Sequence, residues 1–292
     1  MQYREVYRWG ENELAHAGIE ESKLDARLLM EHVCGTDRNT LLVHGDREVS
    51  QADQKHYEEV IGQRCSHVPL QQITGVQEFM GLEFLVNEHV LIPRQDTECL
   101  VEEAMRFLHD GSRILDMCTG SGCILLSLLH YSNGCKGVGV DISREALKVA
   151  RANAERIMAL PRPGVEPIAG GSEDLQFVES DLFSGLSEEK FEMILSNPPY
   201  IASSVIPTLM EEVREHEPLL ALDGKEDGLF FYRRIIDAAK AYLVKEGRLF
   251  FEIGHDQAES VSGLMEDAGF EEVTVVKDLA GLDRVVHGIW MG

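Results

Sequence analysis

The sequence predicts an α/β fold: a mostly parallel β-sheet covered by helices on both faces, with a small helical bundle before it. Three features of the chain predict this architecture. Residues 1 to about 75 show helical spacing of apolar residues, strand-like and helical segments alternate after about residue 96, and two strand-like runs end the chain. A chain of 292 residues with 44% hydrophobic residues can also bury a sizeable core.

The N-terminal stretch, residues 1–75, is predicted to form the helical bundle as a separate domain. Apolar residues recur there at helical spacing in two places, Leu24, Leu28, Leu29 and Val33, and then Tyr57, Val60 and Ile61. Gly35 and Gly45 indicate breaks between helices, and Ser50 is a candidate N-cap for a helix that begins at Gln51.

Residues 76–95 are predicted to form a β-hairpin that links the two domains. The stretch ITGVQEFMGLEFLVNEHVLIP has apolar residues at strand-like spacing, among them Phe79 and Phe84, and Gly81 is placed for the turn.

Residues 96–292 are predicted to form the α/β domain. Its predicted helices run from Asp96 to Leu108, from about Gly122, from Ala146 to Ile157 and from Leu229 to Leu243, and its predicted strands are RILDMC, GVGVD, LQFVESD, FEMILSN and GRLFFEI. Alternation of this kind is typical of a parallel sheet. The closing runs EEVTVVKDL and DRVVHGIWM predict an antiparallel hairpin at the sheet edge, and LPRPGVEPIAGG at 160–171 is predicted to be a surface loop.

Charge and cysteine content argue against several classes of function. The chain has 27 Lys and Arg against 51 Asp and Glu, and its net charge of -24 would repel a phosphate backbone. The 6 cysteines form no C-x-x-C pair, which disfavours a zinc site and a disulfide framework. No stretch is long and apolar enough to span a membrane. We expect a cytoplasmic monomer with no metal and with no nucleic acid or membrane as partner.

Three predicted strand ends carry residues that suit a nucleoside-containing cofactor. The first, Asp116 to Gly122, is a glycine-containing turn into a helix, where the backbone can approach a ligand closely. The second ends in Asp141, whose carboxylate can accept hydrogen bonds from two ribose hydroxyls. The third offers the carboxylate of Asp181 and the ring of Phe183 for an adenine.

The glycine turn has two other possible interpretations besides binding a methyl donor. A tight turn between strand and helix needs no ligand, but Asp141 on the next strand favours one. NAD is the other rival, although its fingerprint has a further small residue where this chain has Leu125, and a dehydrogenase gives no account of the Pro-Pro strand end. S-adenosylmethionine fits better.

The stretch SNPPYI, residues 196–201, predicts the kind of group that is methylated. A nitrogen conjugated to a carbonyl or an aromatic ring is a poor nucleophile, because its lone pair is delocalised. The side-chain oxygen of Asn197 can accept one N–H of such a nitrogen and the carbonyl of Pro198 the other, while Pro198 and Pro199 fix where these acceptors point. Together they orient the lone pair and disperse the positive charge that develops on nitrogen. Tyr200 can stack on the planar acceptor or make a cation–π contact with the donor.

These residues resemble the HemK/PrmC family, the N5-glutamine methyltransferases of peptide chain release factors. The resemblance rests on PLQQITGVQEFMGLEFLVNEHVLIPRQDTECLVE (69–102), DMCTGSGCI (116–124), DISREAL (141–147), SDLF (180–183), SNPPYI, EPLLALDGKEDGLFFYRRI (217–235) and KDLAGLDRVV (277–286). It implies a class I S-adenosylmethionine-dependent methyltransferase fold, with a Rossmann-like seven-stranded mixed sheet and an antiparallel edge hairpin. It also implies that the acceptor is the glutamine amide of a Gly-Gly-Gln loop in class I release factors, recognised with the help of the helical domain.

Carried over residue by residue, the resemblance implies a role for each candidate site residue. The cofactor, which leaves as S-adenosylhomocysteine, would be bound by Cys118, Thr119, Gly120, Ser121, Gly122, Asp141, Asp181, Phe183 and Asn197. The acceptor amide would be held by Asn197, Pro198, Pro199 and Tyr200, of which Asn197, Pro198 and Tyr200 are the predicted catalytic residues. Cys118 stands where many members have glycine, a change that we expect a backbone-lined loop to tolerate.

Two other functions stay open on the sequence alone. An amino methyltransferase acting on DNA adenine or cytosine would share the N-P-P-Y stretch, but the net charge of -24 argues against it. A cofactor-binding protein without catalysis would not need an intact Asn197 to Tyr200. Arg94 and Glu98 are given no more than a positioning or interdomain role, and His255 is interpreted as a loop residue.

Overall fold

The computed structural model describes residues 1–161 and 174–292, and the larger part of the predicted loop at 160–171 lies outside these described residues. The chain divides into two compact units. The first comprises Met1–Val76 together with Met210–His216. The second comprises the described part of Gln77–Leu209 and Glu217–Gly292.

Helices and strands alternate in the second half of the chain, whereas the first 74 residues are helical. The helices in chain order are α1 Tyr3–His16, α2 Ser22–Cys34, α3 Arg38–Val43, α4 Gln51–Cys65, α5 Leu70–Thr74, α6 Gln95–Met105, α7 Cys123–Tyr131, α8 Arg144–Met158, α9 Glu211–His216, α10 Leu219–Leu222, α11 Phe230–Ala239 and α12 Ala258–Asp267. The strands are β1 Val76–Phe79, β2 Leu82–Leu85, β3 Arg113–Met117, β4 Lys136–Asp141, β5 Leu175–Glu179, β6 Phe191–Ser196, β7 Leu243–Glu252, β8 Glu271–Lys277 and β9 Asp283–Trp290.

The first unit buries one side of each of its longer helices in a common core. The fully buried residues include Leu14, Leu29, Met30, Tyr57 and Ile61. The hydroxyl of Tyr57 donates to the carbonyl of Ala26 at 2.9 Å, so the only polar atom of this buried side chain has a hydrogen-bond partner. Ser50 caps α4 by accepting from the amide of Asp53 at 3.0 Å, as its sequence position predicts.

Helix α9 belongs to the first unit although its sequence follows β6. Arg64, which is 7% exposed, pairs with Asp25 at 2.7 Å and with Glu212 of α9 at 2.9 Å. The side-chain amide of Gln72 donates to the carbonyl of His216 at 2.8 Å. Because a buried guanidinium needs its partners, these contacts make α9 part of the bundle.

The β1–β2 hairpin is packed into the core of the second unit through Phe79 and Phe84. Its turn uses positive φ angles at Met80 (53°) and at Gly81 (70°). Glu98 of α6 accepts from the amide of Met80 at 2.6 Å, and Tyr131 donates to its carbonyl at 2.6 Å. The turn is therefore held by two helices of the same unit.

The large sheet has seven strands in the order β5-β4-β3-β6-β7-β9-β8. Strands β3 to β7 pair in parallel, and β9 pairs antiparallel with both β7 and β8. The predicted mixed sheet with its antiparallel edge hairpin is confirmed. From β3 the chain proceeds outward in one direction through β4 and β5, then in the other through β6 and β7. Such a reversal opens a crevice at the carboxyl ends of β3 and β6.

Alternate residues of the central strands face two different hydrophobic clusters. In β3, Leu115 belongs to the cluster that contains Ile235 of α11, while Ile114 belongs to the cluster that contains Leu125 of α7. Both faces of the sheet are thus covered by helices, as predicted.

The predicted end of the helix before β7 is wrong. The sequence predicts a helix from about Leu229 to Leu243, but α11 ends at Ala239 and β7 begins at Leu243. Leu243 pairs with Phe191 of β6, and the amide of Phe191 donates to the carbonyl of Tyr242 at 2.8 Å. Apolar residues continue through the turn, so periodicity gave no sign of where the helix ends.

Candidate active site

A cavity of about 320 Å³ lies at the carboxyl ends of the central strands, where the strand order reverses. Each of the predicted strand ends contributes to its lining: Thr119 and Gly120 after β3, Asp141 at the end of β4, Asp181 after β5, and Asn197 after β6. The fold therefore brings together residues that are almost 80 positions apart in the sequence.

The loop after β3 is shaped by positive φ angles at three positions, Cys118 (63°), Gly120 (55°) and Gly122 (81°). A Cβ added to Gly120, which lines the cavity, would meet no protein atom within 4 Å. Helix α7 starts directly after Gly122, so its free backbone N–H groups lie at this loop. The loop offers open space and a helix N-terminus, which suit a ligand that carries a carboxylate.

Asp116 supports the loop from beneath. It is fully buried, and one of its carboxylate oxygens accepts from the hydroxyl of Thr119 at 2.5 Å. Burial raises the pKa of Asp116 to about 7, and hydrogen bonds from Thr119 and from the amide of Leu125 partly oppose the rise. Its other oxygen, Oδ1, has no hydrogen-bond partner within the described parts of the chain.

Asp141 holds the loop while keeping acceptor sites free. Its Oδ2 accepts from the amide of Gly120 at 2.9 Å, and its Oδ1 accepts from the amide of Ser143 at 2.8 Å. Each carboxylate oxygen has a second lone pair, so both can still accept from a diol. Burial raises the pKa of Asp141, and hydrogen bonds from the backbone amides of Ser143, Gly120 and Ile142 oppose that rise. Ile142 beside it is 52% exposed and also lines the cavity.

The structure does not bring Phe183 to the cavity. Its ring is buried and stacks on Tyr242 with a centroid distance of 4.7 Å. Leu182 lines the cavity beside Asp181, whose two oxygens are held by Arg234 at 2.9 and 3.1 Å. The apolar surface next to the predicted ribose position thus comes from Ile142 and Leu182, which the sequence did not single out.

Asn197 lies at the carboxyl end of β6, directly beside the glycine loop. The hydroxyl of Ser196 donates to the carbonyl of Met117 at 2.6 Å and so ties the end of β6 to the end of β3. Asn197 and Pro199 line the cavity. The side-chain amide nitrogen of Asn197, Nδ2, lies 3.5 Å from the hydroxyl oxygen of Thr97 in α6.

Tyr200 is held tightly but does not line the cavity. Its hydroxyl lies 3.3 Å from Glu252 Oε1, and its carbonyl accepts from the side-chain amide of Gln257 at 3.0 Å. Burial, followed by the charge of Glu252, raises its pKa, so the phenol is neutral and can donate. A Cβ at Gly228 would come within 2.4 Å of the Tyr200 carbonyl oxygen, which leaves no room for a side chain there.

Sequence reasoning missed Thr97 and Glu252, which lie near Asn197, and Arg284, whose charge acts on Glu252. Glu252 is 2% exposed at the end of β7, and Arg284 pairs with Asp96 and Asp278, both at 3.1 Å. A charged residue that closes an apolar strand was the signal used for Asp141. The same signal in GRLFFEI would have found Glu252.

Arg94 is a cation at the cavity wall. It pairs with Glu217, whose side chain is 1% exposed. Among the residues with described positions, no group of His, Cys, Asp and Glu side chains is arranged to hold a metal ion. In those same residues, none of the helices combines the length and apolarity that crossing a membrane requires.

Comparisons with known proteins agree on the two halves of the chain. Residues 5–75 match the family model of the PrmC N-terminal domain, and residues 95–225 match that of the methyltransferase small domain. The chain is 39% identical over 285 residues to the release factor glutamine methyltransferase of Geobacter sulfurreducens, covering 98% of this chain and 95% of that protein. It is also 39% identical over 267 residues to the enzyme of the same name from Clostridium acetobutylicum, covering 91% of this chain and 90% of that protein.

A solved structure shares the fold. A methyltransferase from Pyrococcus furiosus matches 73% of this chain and 91% of its own with a TM-score of 0.51 and 18% identity.

Proposed function

Because the chain belongs to the family of release factor glutamine methyltransferases, we propose that it methylates the side-chain amide nitrogen of a glutamine in peptide chain release factors. The methyl donor is S-adenosylmethionine. The acceptor is proposed to be the glutamine of the Gly-Gly-Gln loop of class I release factors, and its methylation modulates translation termination.

The cavity residues fit the donor by their chemistry. The backbone from Thr119 to Gly122 and the start of α7 suit the methionine part, and the free lone pairs of Asp141 suit the ribose hydroxyls. Ile142 and Leu182 offer apolar surface for the adenine in place of the predicted Phe183. When bound, the cofactor supplies an electrophilic methyl group on a positively charged sulfur.

Asn197 and Pro198 are proposed to hold the acceptor amide. The Oδ1 atom of Asn197 accepts one N–H of the glutamine amide and the Pro198 carbonyl accepts the other. These contacts turn the nitrogen lone pair toward the donor and disperse the positive charge that grows on nitrogen during transfer. The nitrogen then returns to neutrality by releasing a proton to water.

Pro198, Pro199 and Tyr200 give the loop its rigidity. The prolines fix φ at two successive positions, and Tyr200 is held at its hydroxyl and its carbonyl. The hydroxyl of Tyr200 is directed to Glu252 and its side chain does not line the cavity, so the proposed part of Tyr200 is to hold the loop in place.

A single observation carries the assignment of these residues: Asn197 and the glycine loop border the same cavity, at the ends of the paired strands β6 and β3. A methyl donor laid along the loop and an amide held at Asn197 therefore meet in one space. The order of the residues in the sequence could not establish that proximity.

The helical first unit is proposed to recognise the release factor. The whole protein is proposed to act as a cytoplasmic monomer without a nucleic acid partner. Its net charge of -24 supports a protein as the partner, since it would repel a phosphate backbone.

The test is transfer of tritiated methyl groups from S-adenosylmethionine to a purified class I release factor. We expect label on the wild-type release factor and none on a variant whose Gly-Gly-Gln glutamine is alanine. Label on both variants would refute the proposed acceptor. Absence of label on both, with donor binding shown by calorimetry, would refute the proposed substrate. DNA is included as a further acceptor and is expected to stay unlabelled.

A further inference from the structure

The side chain of Asn197 can present either of two chemically opposite atoms to the cavity. Its Oδ1 accepts hydrogen bonds and its Nδ2 donates them, although the two atoms are nearly equal in size. The proposed function requires Oδ1 to face the acceptor amide, because Nδ2 would oppose the N–H of the substrate. An orientation of this kind has to be selected by the neighbours of the amide.

Thr97 is the neighbour that meets the amide. It lies in the first turn of α6, is 3% exposed, and places its hydroxyl oxygen 3.5 Å from Asn197 Nδ2. A hydroxyl both donates and accepts, so this contact alone does not select one orientation. The direction is set by what the hydroxyl hydrogen of Thr97 bonds to.

Glu252 lies next to both residues. When it is ionised, its carboxylate oxygens can accept hydrogen bonds but cannot donate them. It follows Phe251, which pairs with Ser196, so Glu252 and Asn197 are equivalent positions on adjacent parallel strands. Its Oε1 lies 3.3 Å from the hydroxyl of Tyr200, while its Oε2 is buried and has no hydrogen-bond partner among the residues placed in the structure. The Thr97 hydroxyl lies close enough to lower the pKa of Glu252 by hydrogen bonding. A hydrogen bond from that hydroxyl to Oε2 would supply the donor that a buried carboxylate requires.

Building on the proposed role of Asn197, we propose that Thr97 and Glu252 are positioning residues that fix the direction of a hydrogen-bond chain. Asn197 Nδ2 donates to the hydroxyl of Thr97, Thr97 donates to Glu252, and Tyr200 donates to the other oxygen of the carboxylate. This direction leaves Asn197 Oδ1 as the atom that faces the acceptor. No covalent bond forms or breaks in the chain, which acts by orientation alone.

The ionisation of Glu252 controls this direction. The titratable or charged side chains that face it are Tyr200, Tyr232, Cys123, Asp96 and Arg284. Burial raises the pKa of Glu252 to about 7, opposed by Thr97, Arg284 and Tyr200. A protonated Glu252 can donate to Thr97 and permit the reverse chain. The rate of transfer at saturating substrates should therefore rise as the pH increases through about 7.

The experiment compares Thr97→Val, Thr97→Ser and Glu252→Gln, each in the wild-type and the Asn197→Ala backgrounds. Methyl transfer is followed in single turnover with enzyme in excess, so that low rates can be read. Removing the hydroxyl with Thr97→Val should lower the transfer rate about 10- to 100-fold, the effect of leaving a buried hydrogen-bonding group unpaired. Thr97→Ser should restore most of the rate. In the Asn197→Ala background, Thr97→Val should cause no further loss.

The pH profile supplies a second readout. Glu252→Gln should reduce the step in transfer rate near pH 7, since the amide does not titrate there and Asp116 then remains as a site residue with a pKa of about 7. Ser127→Ala in α7, which removes a buried hydroxyl that has no hydrogen-bond partner among the described residues, is the control and should leave rate and profile unchanged.

Three results would overturn the inference: a wild-type rate in Thr97→Val, equal losses with and without Asn197, or a pH profile in Glu252→Gln identical to that of the wild type. Failure of the underlying function looks different, because then the wild type would transfer no methyl group or Asn197→Ala would transfer it at the full rate.

Discussion

The ends of β3 and β6 lie side by side in the sheet but are built in different ways. After β3, the loop is shaped by its backbone: φ is positive at Cys118, Gly120 and Gly122, and the amide of Gly120 donates to Asp141. After β6, two prolines make the segment from Asn197 to Tyr200 rigid. Side chains of other elements hydrogen-bond to both ends of this segment. A loop made of backbone can bind a cofactor with few specific side chains, whereas orienting an amide depends on distant partners.

The largest expected difference between the two loops comes from replacing Asn197 after β6 and Asp141, which holds the loop after β3. Asn197→Ala should lower methyl transfer about 10²- to 10³-fold, the usual cost of losing a group that stabilises developing charge, with little change in donor affinity. Asp141→Asn should weaken donor binding about 10-fold or more, because hydrogen bonds to a charged group are lost, while transfer at saturating donor stays closer to normal. Calorimetry and single-turnover kinetics measure the two quantities separately.

Equal losses of affinity and rate in both variants would contradict the division between a donor side and an acceptor side.

Replacing Gly228 should disturb the segment from Asn197 to Tyr200 without disturbing the loop after β3. Gly228 has φ of 74°, and a Cβ there would lie 2.4 Å from the carbonyl oxygen of Tyr200. Gly228→Ala should lower the free energy of unfolding by about 1–3 kcal/mol and reduce the transfer rate, with donor affinity retained. Gly263→Ala in α12 is the matched control, since no atom lies within 4 Å of its added Cβ and the helix should gain about 0.5–1 kcal/mol. Denaturant unfolding measures both, and unaffected stability in Gly228→Ala would be inconsistent with close packing on Tyr200.

The smallest expected effect concerns backbone strain on the donor side. Cys118 has φ of 63°, a left-handed conformation that costs a residue with a Cβ more than it costs glycine. Cys118→Gly should raise the free energy of unfolding by about 0.5–1 kcal/mol. Cys123→Gly, the same exchange at the start of α7, should lower it by about 1 kcal/mol or more. Equal destabilisation by both changes, measured by chemical denaturation, would show that the φ of Cys118 stores no strain.

Sequence reasoning succeeded where function depends on local order along the chain. The strand-to-helix turn at Asp116 to Gly122 and the strand-end carboxylate of Asp141 combine periodicity with residue type, and both lie at the cavity. The edge hairpin followed from two alternating runs with a short turn. Each of these features is encoded within one short, continuous stretch of the chain.

Features that depend on packing between distant segments could not be predicted in the same way. The stripe Leu24, Leu28, Leu29 and Val33 gave the right helix but only part of its buried face, because Leu29 is fully buried while Leu24 is 39% exposed, and the fully buried Met30 was missed. Phe183 turns into the core to stack on Tyr242, a residue almost 60 positions away. Thr97 and Glu252 meet Asn197 only once β6, β7 and α6 are assembled.

Because the first unit combines two separate segments of the chain, it can be completed only after the second segment has been synthesised. Helices α1 to α5 leave the ribosome early, but α9, which supplies Glu212 to the buried Arg64, is synthesised only after β6. In the folded bundle Arg64 also pairs at 2.7 Å with Asp25, which is synthesised before it. The N-terminal bundle therefore reaches its final state during synthesis of the catalytic half. A chimaera that exchanges this bundle between relatives needs three junctions, near Val76 and at both ends of Met210–His216, rather than a single crossover.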